Sequence, residues 1–335
     1  MDQVPFVFLE RIVSLVPSHP HKIHALFAPL GGNWKTAAKE LEANYQSVEV
    51  DIYSNANFMT FLKHSPGSDF ETFKNPSKYT MDLRLQFGAF DEANYNDNER
   101  TPEHDAEPIS EKRLKQLTNL STRGGCHSEL EVFELPRRED EVFDFGGLLR
   151  NIQASFAFVN INSCRGYSQE LEEFLRNLIP KRTCCSFTFS DVDLTPACLD
   201  LVLDAWDTWT PRKKTIPSRC DSEAINVENC SQTLTKAHIS RILNGWCEGR
   251  GGNTIETSVL EFPDIETFCQ AFEIAEPDWK VEPRWGTAYI LNHLKTGTFI
   301  QVEFNANALC LKYVFENVIE IDGEPFTSIV EYPTF

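Results

Sequence analysis

No stretch of this chain approaches the roughly 18 uninterrupted apolar residues that a membrane-spanning helix requires, so no span is expected. A secretory leader is missing too. The opening MDQVPFVFLERIVSLVP starts acidic and sets Glu10 and Arg11 inside its apolar stretch, where a leader would carry a basic start, an apolar core and a small-residue cleavage site. Residence in the cytosol or nucleus is therefore expected, with the ten cysteines kept as thiols and used mainly to fill the core. Positive charge is scarce: 31 Lys and Arg face 50 Asp and Glu, a formal charge of −19. Such a field repels phosphates, which argues against nucleic acid and anionic membrane surfaces as general partners. The densest basic cluster, Pro211 to Lys214, reads as a solvated loop.

Catalytic signatures are also lacking. There is no GxGxxG after a strand, no GxSxG, no HExxH and no CxxC. APLGGNWKT ends like a phosphate loop, but Pro29 and Trp34 stand where that loop needs glycine, and an indole before the lysine would block the backbone cradle. Cys184, Cys185, Cys198, Cys220, Cys230, His238 and Cys247 crowd one region without the closely spaced pairs of a zinc site. Cys184 and Cys185 are adjacent in a strand and point to opposite faces. His238 sits beside a helix stripe and reads as a partly exposed histidine, and HPHKIH (His19 to His24) reads as a surface turn. No catalytic residue, metal ligand or cofactor is assigned.

What the chain does contain is a repeated phrase. LTPACLDLVLDAW (Leu194 to Trp206) returns as LTKAHISRILNGW (Leu234 to Trp246). In each, apolar residues recur at i, i+3, i+4 and i+7 (Leu199, Val202, Leu203, Trp206; Ile239, Ile242, Leu243, Trp246), one stripe of a helix. Thr195 and Thr235 are natural N-caps, and Pro196 suits a first turn. A short strand precedes each helix, CSFTFSD before the first and AINVEN before the second. The same template picks out SFAFVNINS with YSQELEEFLRNLI, and TIETSVLEF with DIETFCQAF. A strand-plus-helix unit of this size cannot cover its own apolar face, so neighbours must stack, with parallel strands and with Trp206 and Trp246 at equivalent seams.

Around this array, QSVEVDIYS, TMDLRLQFG and SELEVFEL read as further strands. Between about Phe87 and Ser110 seven acidic residues stand against one Arg100 with few large apolar side chains, which predicts a mobile acidic loop at about 88–112. TAYILNH, TFIQVEF and ALCLKYVF alternate with period two, predicting an antiparallel meander at about 285–335 that caps the stack. The fold class expected is α/β: a leucine-rich-repeat-like strand-helix solenoid over residues 46–335, with an antiparallel β C-terminal cap and a helical segment at 1–45.

That N-terminal segment places Val4, Pro5, Phe8, Ile12, Val13, Val16 and Pro17 on one helix stripe that Pro5 can start and Pro17 ends. The stretch resembles the opening of F-box motifs, LPxxLxxxILxxLP, with Val4 and Phe8 in place of leucine. Trp34 falls near the aromatic of the last F-box helix, here NWKTAAKELEANY. Together with the repeats behind it, the chain looks like the nematode families of F-box and F-box-associated proteins. The resemblance implies a non-catalytic adaptor. Val4, Pro5, Phe8, Ile12, Val13, Val16, Pro17 and Trp34 would dock a Skp-type linker of a cullin ubiquitin ligase, and the repeat domain would hold a substrate protein. Two alternatives stay open: a repeat-domain interaction protein with no ligase partner, whose N-terminal helix is only a cap, and an enzyme of unrecognised type.

Overall fold

The computed structural model describes residues 9, 25–44, 46–53, 58–63, 80–88, 106–108, 110–121, 128–135, 144–152, 156–209, 223–258, 262–284, 286–305, 308–314, 316–321 and 324–329. The chain divides into two compact units, Met1–Cys184 and Cys185–Phe335. The boundary read from the sequence, after residue 45, falls inside the first.

The first unit contains helix α1 (Gly32–Asn44), strands β1 (Gln46–Tyr53), β2 (Phe58–Lys63), β3 (Thr80–Gly88) and β4 (Ala106–Pro108), helix α2 (Glu111–Ser121), β5 (Ser128–Val132), helix α3 (Phe145–Asn151), β6 (Phe156–Asn162) and helix α4 (Ser168–Leu178). Its strands run in the order β6-β5-β3-β1-β2-β4. β1, β3, β5 and β6 are parallel, and β2 joins β1 and β4 antiparallel. Register aligns Val50, Leu85, Leu130 and Val159 across the sheet, and all four are buried. Period-two alternation then puts Glu49, Arg84 and Glu129 on the other face. Helix α4 buries Leu171, Phe174, Leu175 and Leu178, the stripe read from the sequence, and Phe174 meets Phe156 of β6.

The second unit holds β7 (Ser186–Ser190), α5 (Pro196–Trp206), β8 (Ala224–Glu228), α6 (Lys236–Cys247), β9 (Thr254–Thr257), α7 (Ile265–Phe272), then β10 (Trp279–Pro283), β11 (Ala288–His293), β12 (Thr298–Asn305) and β13 (Ala308–Val314). A separate hairpin pairs β14 (Glu316–Ile321) with β15 (Glu324–Ile329). Strand order is β7-β8-β9-β13-β12-β11-β10. β7, β8 and β9 are parallel, and the antiparallel meander attaches through β13 to β9. The architecture is mixed α/β with open sheets. Among the described residues no helix is long and apolar enough to cross a membrane.

The duplicated phrase forms α5 and α6. Thr195 and Thr235 cap them, each accepting from the backbone N–H three residues on. His238 completes a capping box, its Nδ1 accepting from Thr235 N at 3.2 Å while Nε2 lies 3.3 Å from Asp200 Oδ1 on α5. Trp206 and Trp246 are both fully buried and meet edge to face at 5.6 Å. Trp209 and Phe187 extend this cluster on one side and Tyr313 on the other. A feature the periodicity did not reveal is the residue after each strand. Ser163, Asp191 and Asn229 follow β6, β7 and β8, and all three adopt left-handed φ near +50°, a conformation that short polar residues tolerate best.

Two expectations need correction. The predicted acidic loop at 88–112 is not loop at its ends: Gly88 closes β3, Ala106–Pro108 pairs with β2, and α2 starts at Glu111 behind Ser110, whose Oγ accepts from Arg113 N. Residues 89–105 lie outside the described residues. The meander starts at Trp279 rather than 285: β10 is a short edge strand, WKVEP, that alternates apolar and charged residues but buries none of them.

The tryptophan seam requires glycine beside it. Gly251 has φ +103°, its N donates to Trp209 O at 2.9 Å, and a Cβ there would stand 2.5 Å from Trp206 Nε1. At Gly252 a Cβ would meet the Trp206 and Trp209 rings at 2.8 Å, and the Gly252 carbonyl accepts from Trp246 Nε1 at 2.7 Å. Gly249 also has positive φ, +73°, but open space around it. Gly251→Ala should therefore cost about 3 kcal/mol, overpacking added to backbone strain, whereas Gly249→Ala should cost about 1 kcal/mol. Midpoints of urea unfolding at unchanged slope measure both, and equal shifts would refute the seam as the constraint.

Candidate interaction surface

Of the sequence-predicted docking residues, Val4, Pro5, Phe8, Ile12, Val13, Val16 and Pro17 lie outside the described residues. Trp34 does not. It sits on α1, half-buried, stacked on Phe27 at 5.4 Å with rings 5° apart, and its Nε1 is buried with no hydrogen-bond partner. Ala37 and Ala38 bury the same side of α1, while Leu26 and Leu30 nearby are exposed.

A cavity of about 380 Å³ lies between α2 and α3, lined by Glu111, Leu114, Lys115, Asp144, Gly147, Leu148 and Asn151. Its Asp144 is committed to capping α3, accepting from Gly147 N at 2.6 Å. Among the described residues no group of three or more His, Cys, Asp or Glu is placed to hold a metal ion. Burial raises the thiol pKa of Cys230, Cys247 and Cys269, and holds that of Cys310 up at about 12. These sulfurs stay protonated and make poor nucleophiles.

The concentrated polar groups are on the sheet faces. In the first unit, Arg84 of β3 gathers three carboxylates from the two flanking strands: Glu49 of β1 at 3.4 Å, and Glu129 and Glu131 of β5 at 3.6 and 2.7 Å. Gln86 Nε2 donates to the same Glu131 at 2.6 Å. Arg84 reaches Glu131 through both Nε and Nη2, a two-pronged contact that fixes the guanidinium.

In the second unit, β7 and β8 turn Phe187, Phe189, Ile225 and Val227 inward, which leaves Ser186, Thr188, Ser190, Ala224, Asn226 and Glu228 half-exposed on the opposite face, joined by Thr254 and Glu256 of β9. Register sets Thr188, Asn226, Glu256, Cys310 and Glu303 in one row across five strands. Lys312 stands one row away on β13, where it pairs with Thr254. The Glu256 carboxyl is held above the usual carboxylate range, first by burial, then by Glu228 and Glu303, with Lys312 pulling the other way. Asn226 Oδ1 is buried with no hydrogen-bond partner. Sequence reasoning missed this row. Alternation within a strand shows which side chains share a face, but the row exists only once β13, far along the chain, inserts between β9 and β12.

Comparison with protein-family models, with curated proteins and with solved structures finds no match to this chain. The likeness to F-box openings therefore rests on the residues from Val4 to Trp34.

Glu256 yields a signed prediction. Because its folded-state pKa is raised, the folded chain holds this proton more tightly than the unfolded chain. Stability falls as pH rises through the interval from the unfolded to the folded pKa. Glu256→Gln should accordingly raise the unfolding midpoint at neutral pH, and its advantage should vanish below the ordinary glutamate range of about 4.3. Paired melts across pH check this, and an advantage of the variant over the parent chain that is no larger at neutral than at acid pH would contradict it.

Proposed function

We propose that this chain is a non-catalytic protein-interaction scaffold of the cytosol or nucleus, an F-box-like substrate receptor for a cullin-type ubiquitin ligase. In this reading the strand-helix units form a leucine-rich-repeat-like solenoid capped by the C-terminal meander. Its sheet face grips a substrate protein, and the N-terminal stripe of Val4, Pro5, Phe8, Ile12, Val13, Val16 and Pro17, with Trp34, docks a Skp-type linker. The observation that carries the scaffold is the half-exposed polar face of the parallel strands β7–β9, backed on its other side by the buried rows of Phe187, Ile225 and Ile255. A rigid sheet with a polar face offers alternating side chains to an extended partner without any enclosed reaction chamber.

One observation favours the second reading, an interaction protein whose N-terminal segment is a cap. Leu9 lies three residues before Ile12 and four before Val13, the spacing of one helix face, and is fully buried. Coexpression with a Skp-type linker followed by size exclusion separates the two. The ligase role predicts co-elution that Ile12→Asp abolishes. Separate elution, with the linker still competent toward a control F-box protein, leaves the scaffold without the ligase.

A further inference from the structure

The two copies of the repeated phrase differ at the third residue of their helices. In α5 that residue is Cys198, whose Sγ lies 3.3 Å from Thr195 Oγ1, and in α6 it is His238. The His238 ring has two partners. Its Nδ1 stands 3.2 Å from the backbone N of Thr235, and its Nε2 stands 3.3 Å from Asp200 Oδ1 of α5. A backbone N–H can only donate, so Nδ1 must present a lone pair. The one N–H proton of the neutral ring then sits on Nε2, where it donates to the carboxylate. No other protonation state serves both contacts, because a second proton would land on Nδ1 and set two N–H groups against each other. The other described histidine, His293, is not bound in this way: its Nδ1 lies 2.7 Å from the Thr296 hydroxyl, which can donate to a neutral ring and accept from a charged one. Asp200 faces the His238 ring from α5. On α6 the charged neighbours are Lys236 and Arg241, the latter held by Asp204 and Asp207, and the loop before the helix carries Cys230, whose thiol is kept protonated by burial. α7, which packs on α6, carries Glu266, with Glu273 at its end.

We propose that His238 is a proton-operated latch on the N-terminus of α6: the neutral ring closes the capping box, and the imidazolium releases Thr235 N while holding Asp200 as an ion pair. One proton from solvent adds to Nδ1, the Thr235 N–H turns to water, and the Nε2–H stays on the carboxylate. Thr235 Oγ1 still accepts from His238 N, so the helix keeps half of its box and does not unfold. Acid therefore loosens the tie between the β8–α6 turn and the helix that follows, and turns the α5–α6 contact from a hydrogen bond of a neutral ring into a charge-assisted one. Glutamate or glutamine, the usual partners in such a box, would accept from the N-cap N–H without any response near neutral pH. α5 has no equivalent, since a thiol stands where α6 has the ring.

Nuclear magnetic resonance on the full chain, with histidine and threonine selectively labelled with isotopic nitrogen, tests it. At slightly alkaline pH, proton–nitrogen correlations within the ring should place the His238 proton on Nε2 alone. As acid is added, the Thr235 amide resonance should move with the same midpoint as the His238 ring, and its protection from hydrogen exchange, corrected for pH, should fall about fivefold, the scale of one lost capping bond. His238→Gln, which keeps an acceptor at every pH, should hold the Thr235 amide at its closed position throughout the titration. His238→Ala should hold it at the open position throughout. Asp200→Asn should shift the midpoint of the parent transition to lower pH, because it removes the charge that favours the imidazolium. A neutral ring with its proton on Nδ1 would overturn the proposal, and so would a Thr235 amide that stays in place while the ring titrates or that moves equally in His238→Gln. A midpoint unmoved in Asp200→Asn would overturn the ion pair as the second half of the latch.

Discussion

A strand and a helix joined by a short loop leave too much apolar surface uncovered to be stable alone, and the second unit is organised around removing that surface. Each strand turns one face toward a helix, and each helix turns its stripe toward the sheet and toward the next helix. The demand is sharpest where α5 and α6 meet. Trp206 and Trp246, at the same position in the two copies of the repeated phrase, occupy the seam in direct contact. An indole is too large to be covered by one neighbour, so Trp209, Phe187 and Tyr313 close around the pair, and the backbone at Gly251 and Gly252 comes in where a side chain would collide. Burial of this pair therefore fixes the helix spacing, the tight turn after α6 and the entry into β9.

Hydrogen bonds outside the ladders repeat with the same period. Asp191 N donates to Glu228 O, and Ser258 N donates to Val227 O, so the turn leaving each strand is anchored to its neighbour. Ser231 adds a two-way link, its Oγ accepting from Leu194 N and donating to Leu194 O. Left-handed residues at Asp191 and Asn229 aim these turns. The half-exposed ion pairs of Arg241 on α6 with Asp204 and Asp207 at the end of α5 lie beside the same seam. Their contribution is of the order of 1 kcal/mol or less each. They accompany the packing and do not set it.

Elements with strong periodicity were legible in the sequence: the helices of the repeated phrase, their strands and the three alternating runs of the meander. Elements whose stability comes from elsewhere were not. α2 (EKRLKQLTNLS) is mostly charged and polar, and its neighbourhood in an acidic stretch masked the Leu114–Leu117 pair, of which Leu117 is fully buried. α3 (FGGLLRN) carries two glycines that disfavour a helix, yet the Asp144 cap and burial of Phe145, Leu148 and Leu149 hold it. β10 pairs on one side only and carries its charges outward. The candidate surface was half legible. VEVDIY and SELEV announce a polar face by alternation, but the partner of each carboxylate depends on strand order, which no local pattern encodes.

The two polar faces resolve the same problem differently, and the contrast bears on what each does. Carboxylates half-buried on a sheet repel one another and lose solvent, so they need a cation in place or they cost stability. In the first unit that cation belongs to the chain: Arg84 stands among Glu49, Glu129 and Glu131 at contact distance. In the second unit Lys312 is displaced by one row, the Glu256 carboxyl is held above the usual range by burial, and the neighbouring Asn226 oxygen has no hydrogen-bond partner.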